Sequence, residues 1–183
     1  MKFETDPVKI KKQSLDKEGE NWGFRSFLKS CDIPDQKIDR TVQKFFKQVS
    51  KKIDCSRCSN CCKEYDPFLT HGDVHKISRG LNITPKEFEK KYLIKTEKRD
   101  GFTFIRKPCP FLRDNTCSIS NYRPQDCLSY PYRYQENFTQ RLISVIRHCS
   151  ICPIIYNVFE LLKDEIWVMD DSEFSTNDED FNT

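Results

Sequence analysis

Cys55-Ser56-Arg57-Cys58-Ser59-Asn60-Cys61-Cys62 is the stretch on which the fold reading turns. Thiolates three residues apart can close around one centre, because a tight turn brings them together while backbone N–H groups hydrogen-bond the sulfurs. Three of them in this register match the C-x2-C-x2-C run that fills three corners of a cubane iron–sulfur cluster, the fourth ligand coming from elsewhere. Two C-x2-C halves also suit zinc, with partners from a second knuckle. Cys61 and Cys62 are chain neighbours, whose side chains normally diverge. Either one of them stands off the ion, or the two serve different centres. A disulfide between them would need a distorted peptide link.

The downstream thiols also fall in loop-rich sequence. They are Cys109 in Pro108-Cys109-Pro110, Cys117, Cys127, and then Cys149-Ser150-Ile151-Cys152-Pro153. Cys109 and Cys152 are each followed by proline, as is the cysteine that ends the bacterial ferredoxin run. Nine cysteines between positions 55 and 152 are enough for two four-thiolate centres. Taken singly, each is a small buried hydrophobe; the upstream octet tips the set towards metal. The N-terminus, Met1 to Pro7, has charges where a signal peptide would place its apolar run. No stretch approaches the ~18 apolar residues of a membrane span. A cytoplasmic location is expected, where thiols stay reduced and clustered cysteines serve metal or redox chemistry.

A chain of 183 residues suits one domain. With 37% hydrophobic and 32% charged residues its apolar core must be modest, so bound metal would supply folding energy. The five glycines fall at none of the fixed spacings of Walker or dinucleotide loops, which argues against a self-contained NTPase or Rossmann domain. A net charge of +3 is too mild to imply nucleic acid by itself.

Residues 1–38 read as a flexible or docking segment whose rings are Trp22, Phe24 and Phe27. Residues 39–169 form the cysteine-bearing domain, and the acidic run 170–183 is expected to be disordered. Val42, Phe45, Phe46, Val49 and Ile53 predict a helix capped by Asp39 and leading into Cys55. Thr70 with Asp73, and Thr84 with Glu87 behind Pro85, are capping boxes opening two short helices; Gly80 is expected to take a left-handed stop. Asp100-Gly101 reads as a turn into a strand over 102–106, and a second strand is expected over 141–147. Pro153 opens a last helix with Ile154, Ile155, Val158, Phe159, Leu162 and Ile166 on its apolar face. The fold class expected is α+β: a small metal-stabilised domain of short helices, a small β element and irregular cysteine-bearing loops.

Beyond the octet come Leu69-Thr70, Asp73, Ile77, Leu81-Asn82-Ile83-Thr84 and Phe88. Then follow Pro108-Cys109-Pro110-Phe111-Leu112, Cys117-Ser118-Ile119, Tyr122-Arg123-Pro124, Cys127 and Tyr130-Pro131. Together these resemble the CxxCxxCC cysteine-cluster (YkgJ-type) proteins, zinc- or iron-chelating domains or iron–sulfur proteins, over about Cys55 to Cys152. Flagellin lysine methylases are similar at the cluster, more distantly, which implies a [4Fe–4S] centre tied to methyl transfer. The resemblance implies metal ligands at Cys55, Cys58, Cys61 or Cys62, Cys109, Cys117 and Cys127. The family often carries Cys-Pro-Gly near its end; here Cys152-Pro153-Ile154 stands there, with Cys149 added, so this last pair is a candidate ligand set of its own.

The donor set is almost pure sulfur. That suits an iron–sulfur cluster, favoured here as [4Fe–4S], or an all-thiolate zinc site. His71 and His75 sit four apart on a helix but lack an evident third ligand, and read as surface residues; His148 abuts Cys149 and tunes or joins a site there. Arg123 either offsets the charge of a thiolate site and holds a cofactor or anionic substrate, or pairs with Asp126. Tyr130-Pro131-Tyr132-Arg133-Tyr134 interleaves rings with a cation, as RNA platforms do, or packs around a loop. Two function classes result. One is an iron–sulfur protein for redox or group-transfer chemistry on a protein or small-molecule substrate; the other is a zinc-stabilised module recruiting protein or RNA, with no membrane partner in either.

Overall fold

Apolar residues at helical spacing set most of the backbone. The computed structural model describes residues 3–97, 99–132 and 136–174. Its elements in chain order are α1 (Pro7–Asp16), α2 (Glu18–Ser30), α3 (Asp35–Ser50), the single turn α4 (Cys55–Cys58), α5 (Asn60–Glu64), α6 (His71–Gly80) and α7 (Pro85–Tyr92). There follow β1 (Leu93–Lys95), β2 (Phe102–Phe104), β3 (Leu112–Arg113), β4 (Thr116–Cys117), α8 (Gln125–Ser129), α9 (Leu142–Cys149) and α10 (Pro153–Phe174). The fold is α+β, with short antiparallel pairs beside a majority of helix. Two compact units divide it: one takes the chain up to Ile53 and again from Arg133, the other is Asp54–Tyr132.

In the first unit, Ile38, Val42, Phe45, Phe46 and Val49 form the buried stripe of α3. The helix starts a turn earlier than Asp39, which therefore does not cap it. Its carboxylate instead accepts from the N–H groups of Asn137 (2.8 Å) and Phe138 (2.9 Å), capping the 3-10 turn Phe138–Arg141. The strand expected over 141–147 is helix α9. Leu142, Val145, Ile146 and Cys149 recur at three and four and are buried, whereas Ile143 faces solvent; the β-branched content misled, and the 3.6 period decided. Phe24 of α2 packs edge-on to Phe159 (5.4 Å) and against Trp167 (5.2 Å) of α10. Helix α10 runs to Phe174, into the segment expected to be unstructured; residues 175–183, like Arg133 and Tyr134 of the tyrosine run, lie outside the described residues.

In the second unit both capping boxes form: Thr70 with Asp73 opens α6, and Thr84 with Glu87 opens α7 behind Pro85. Each cap removed would cost about 1 kcal/mol. The left-handed position after α6 is taken by Asn82 (φ 56°), not Gly80. Gly80 is needed for close approach: a Cβ there would meet the Tyr122 ring at 2.4 Å. β1 pairs with β2 in the register Leu93↔Phe104, and Leu69 bridges to Phe102. The strand expected to Arg106 ends at Phe104. Leu69, Val74, Ile77, Phe88, Phe104 and Phe111 make this unit's core, and Cys109 and Cys117 pack against it. No helix among the described residues is long and apolar enough to cross a membrane.

Candidate metal centre

Four chain segments of the second unit deliver the thiols. Cys61 and Cys62 ride on α5, and the Cys62 carbonyl accepts the Cys109 N–H at 2.7 Å. Cys109 also takes a backbone hydrogen bond from Phe111, which is buried, stacked with Phe88 (centroids 6.1 Å) and tilted against Tyr92 (4.9 Å). Cys117 sits on β4 opposite Leu112, in a hairpin closed by Asp114 (φ 45°) and Asn115 (φ 61°). Two successive positive φ values are the two-residue turn whose twist suits paired strands, and Asp and Asn tolerate them best after glycine. Cys127 sits within α8.

Ser59 joins these segments. It holds a left-handed backbone (φ 44°), the place a zinc knuckle usually gives to glycine, and its hydroxyl donates to the Asn115 carboxamide oxygen at 3.0 Å. A buried serine in that conformation costs on the order of 1 kcal/mol, and the hydrogen bond to the hairpin tip offsets it. Cys55 and Cys58 bracket α4 just before it, Cys55 exposed and Cys58 half-buried.

Helix α8 hangs from two carboxylates. Pro124 before it has no side-chain cap, and buried Asp73 of α6 supplies one, accepting from the Gln125 N–H at 2.9 Å while also serving its own capping box. Asp126 accepts from Tyr65 Oη (2.5 Å), from Tyr132 Oη (2.9 Å) and from the Phe68 N–H (2.9 Å). Lys76 Nζ donates to the Arg123 carbonyl and lies 3.7 Å from Asp73.

The electrostatics single out one group. A hydrogen bond with Cys61, with the Arg123 and Lys63 charges, brings the Cys62 thiol down to about 7 against the effect of burial. Burial pushes Cys109 up to about 11 and Cys127 up to about 12, and in each the neighbouring thiols add to the rise. Arg123 hydrogen-bonds Cys117 and feels Cys117, Cys62 and Cys127, which together hold its proton more firmly. Cys62, Cys109, Cys117 and Cys127 thus share one electrostatic neighbourhood with one guanidinium. Cys61 and Cys62, chain neighbours on α5, share a side-chain hydrogen bond. The Arg123 guanidinium faces sulfur, while the oxygens of Asp126 are taken by the two tyrosines and the Phe68 N–H.

Among the described residues, no three His, Cys, Asp or Glu side chains are placed to hold a metal ion. The histidines stay outside this group. His71 is exposed beside Asp100 (3.3 Å), and His75 is exposed. His148 is buried in the first unit, 3.4 Å from Ser144 Oγ. Cys149 and Cys152 are buried in that unit too, and burial pushes the Cys149 thiol well up. Reading the sequence missed three features: the second role of Asp73, the Tyr65–Asp126–Tyr132 cluster, and the hairpin. Only the last had a local signal, the Asp114-Asn115 pair between extended residues.

The chain belongs to the CxxCxxCC family, whose model matches residues 54–152, more than half of its length, and is described as a "putative zinc- or iron-chelating domain". Metal binding is thereby the coarse function of the chain. None of the curated proteins and none of the solved structures compared with it matches.

Proposed function

We propose that an iron–sulfur cluster is held by thiols drawn from Cys62, Cys109, Cys117 and Cys127, with Cys55, Cys58 and Cys61 of the octet as alternative donors, for redox or group-transfer chemistry in a reducing, cytoplasmic setting. One observation carries it: neighbouring thiols raise the Cys109 and Cys127 thiols, and the Arg123 guanidinium stands among Cys62, Cys117 and Cys127 and draws the Cys62 thiol down. The donor chemistry fits the group. Sulfur-only sites select iron–sulfur clusters or zinc, a thiolate set carries negative charge that an adjacent guanidinium neutralises, and Cys62, already acidic, binds first with least proton cost. A [4Fe–4S] cluster would supply one-electron chemistry if four thiols held it, or a Lewis-acidic iron with an open position if only three did.

The residues of the chain have their own tasks. Arg123 offsets the thiolates and is the candidate to hold an anionic cofactor or substrate group. Phe111 and Asp73 fix the loops of Cys109 and α8. Cys149 and Cys152 support packing of the helical unit: both are buried, and at Cys149 burial outweighs the pull of the Lys163 charge.

Zinc in an all-thiolate site is the second reading. Cys109 and Cys117 pack directly on the core of their unit, as a structural ion would require, and a zinc-held module would then recruit a protein or RNA. Anaerobic purification with iron, sulfide and zinc counts separates the two. Brown protein with stoichiometric iron and sulfide supports the cluster; colourless protein with zinc replaces it by the second reading; protein free of iron, sulfide and zinc defeats both.

A further inference from the structure

We infer that Asp126 is a positioning residue for the Cys127 thiol, acting through a clasp with Tyr65, Tyr132 and the Phe68 N–H. The inference rests on the reading of Cys127 as a ligand, but its geometry is independent of any metal. Asp126 immediately precedes Cys127 on α8, a helix of under two turns that cannot fix its own rotation about the helix axis. Three donors fix it. Oδ2 accepts from Tyr65 Oη at 2.5 Å and from the Phe68 N–H at 2.9 Å, and Oδ1 accepts from Tyr132 Oη at 2.9 Å. The two phenol oxygens also lie 2.6 Å apart, and the Tyr65 ring stacks on Tyr130 at 4.7 Å.

The donors are distributed to a purpose. Tyr65 is the residue on which α5 ends, its N–H bonded to the Cys61 carbonyl at 2.9 Å, three positions after Cys62. Tyr132 lies in the turn leaving α8, its N–H donating to the Ser129 carbonyl at 2.6 Å. One carboxylate therefore locks the helix of Cys61 and Cys62 to the helix of Cys127, and nothing in the capping of α8 itself would do so. Partners that orient ligands in this way typically alter metal affinity about 10- to 100-fold when removed. The ring stacking and the backbone bond remain in Tyr65→Phe, so that variant removes one hydroxyl and little else.

The test uses the full chain and two readouts. In metal-free protein, the rate at which iodoacetamide modifies Cys127 is followed by mass spectrometry, with Cys31 as internal standard, for wild type, Tyr65→Phe, Tyr132→Phe and Asp126→Asn. Each variant is expected to lose protection at Cys127 while Cys31 is unchanged and circular dichroism shows the same helix content. In parallel, Co²⁺ is titrated anaerobically. The thiolate-to-cobalt charge-transfer band is expected to shift in Tyr65→Phe, and the affinity to fall about tenfold. Cys127 modified at the wild-type rate in both tyrosine variants overturns the positioning role, whatever cobalt does. Wild-type protein that binds no cobalt overturns the ligand reading instead, and leaves the modification rates to decide the clasp.

Discussion

Cysteine is spent differently in the two units. In the helical unit, Cys149 and Cys152 are 1% and 6% exposed on the buried side of α9 and at the start of α10, and burial holds the Cys149 proton on. In the other unit Cys62, Cys109, Cys117 and Cys127 are only half-buried, Arg123 stands among Cys62, Cys117 and Cys127, and the acidities of Cys62, Cys109 and Cys127 spread from about 7 to about 12. On the proposed reading, the same residue type is a small hydrophobe in one place and a charge-responsive donor in the other. What separates them is the neighbourhood: a guanidinium and several sulfurs on one side, a closed core on the other.

The largest expected effect breaks that contrast outright. Cys127→Ser or Cys109→Ser should remove most bound metal, by elemental analysis of purified protein, while Cys149→Ser and Cys31→Ser should keep the wild-type ratio. Metal lost from Cys149→Ser and retained by Cys127→Ser would invert the assignment. Next, Phe111→Ala and Phe24→Ala delete fully packed rings, one in each unit, and each should cost about 3–5 kcal/mol in urea unfolding. Metal content should fall only with Phe111, whose backbone carbonyl receives the Ser118 N–H (2.9 Å) and whose ring anchors the Cys109 loop. Cys149→Ser should cost about 1–3 kcal/mol by burying a hydroxyl.

Acidity sharpens the comparison further. Alkylation follows the thiolate, so in metal-free protein Cys62 should react half-maximally near pH 7, whereas Cys109 and Cys127 should stay slow until pH 11 or above. The sign for binding follows. Cys109 and Cys127 keep their protons at neutral pH and must release them to ligate, so metal affinity should rise with pH and protons should appear in the buffer on loading. Affinity that falls between pH 6 and 8 would contradict this. The smallest effect is local: Thr84→Ala, which removes a capping box far in sequence from every cysteine, should cost about 1 kcal/mol and leave metal content unchanged.

How much could be read from the chain alone varied with the range of the interaction. Both capping boxes and the long helix from Pro153 were legible because each is specified within four residues or by a repeated apolar stripe. The helix over Leu142–Cys149 was not, since the β-branched Ile143, Val145 and Ile146 favour a strand locally and outweighed the i, i+3, i+4, i+7 spacing of Leu142, Val145, Ile146 and Cys149. Asp39 misled for a similar reason: it is a cap, but for a turn ninety-eight residues away. In the candidate site, the spacing of the cysteines marked them as candidate donors. Their grouping was not legible, because it depends on Asp73, Asp126 and Ser59 holding segments that are distant in sequence.

X-ray absorption at the metal edge of the protein as purified under anaerobic conditions tests the central assignment most directly. Sulfur as the ligand atom of the metal, lost when Cys109 and Cys127 are both replaced by serine, is the expected result. A coordination shell of nitrogen and oxygen, or a sulfur shell that survives that double replacement, would contradict it.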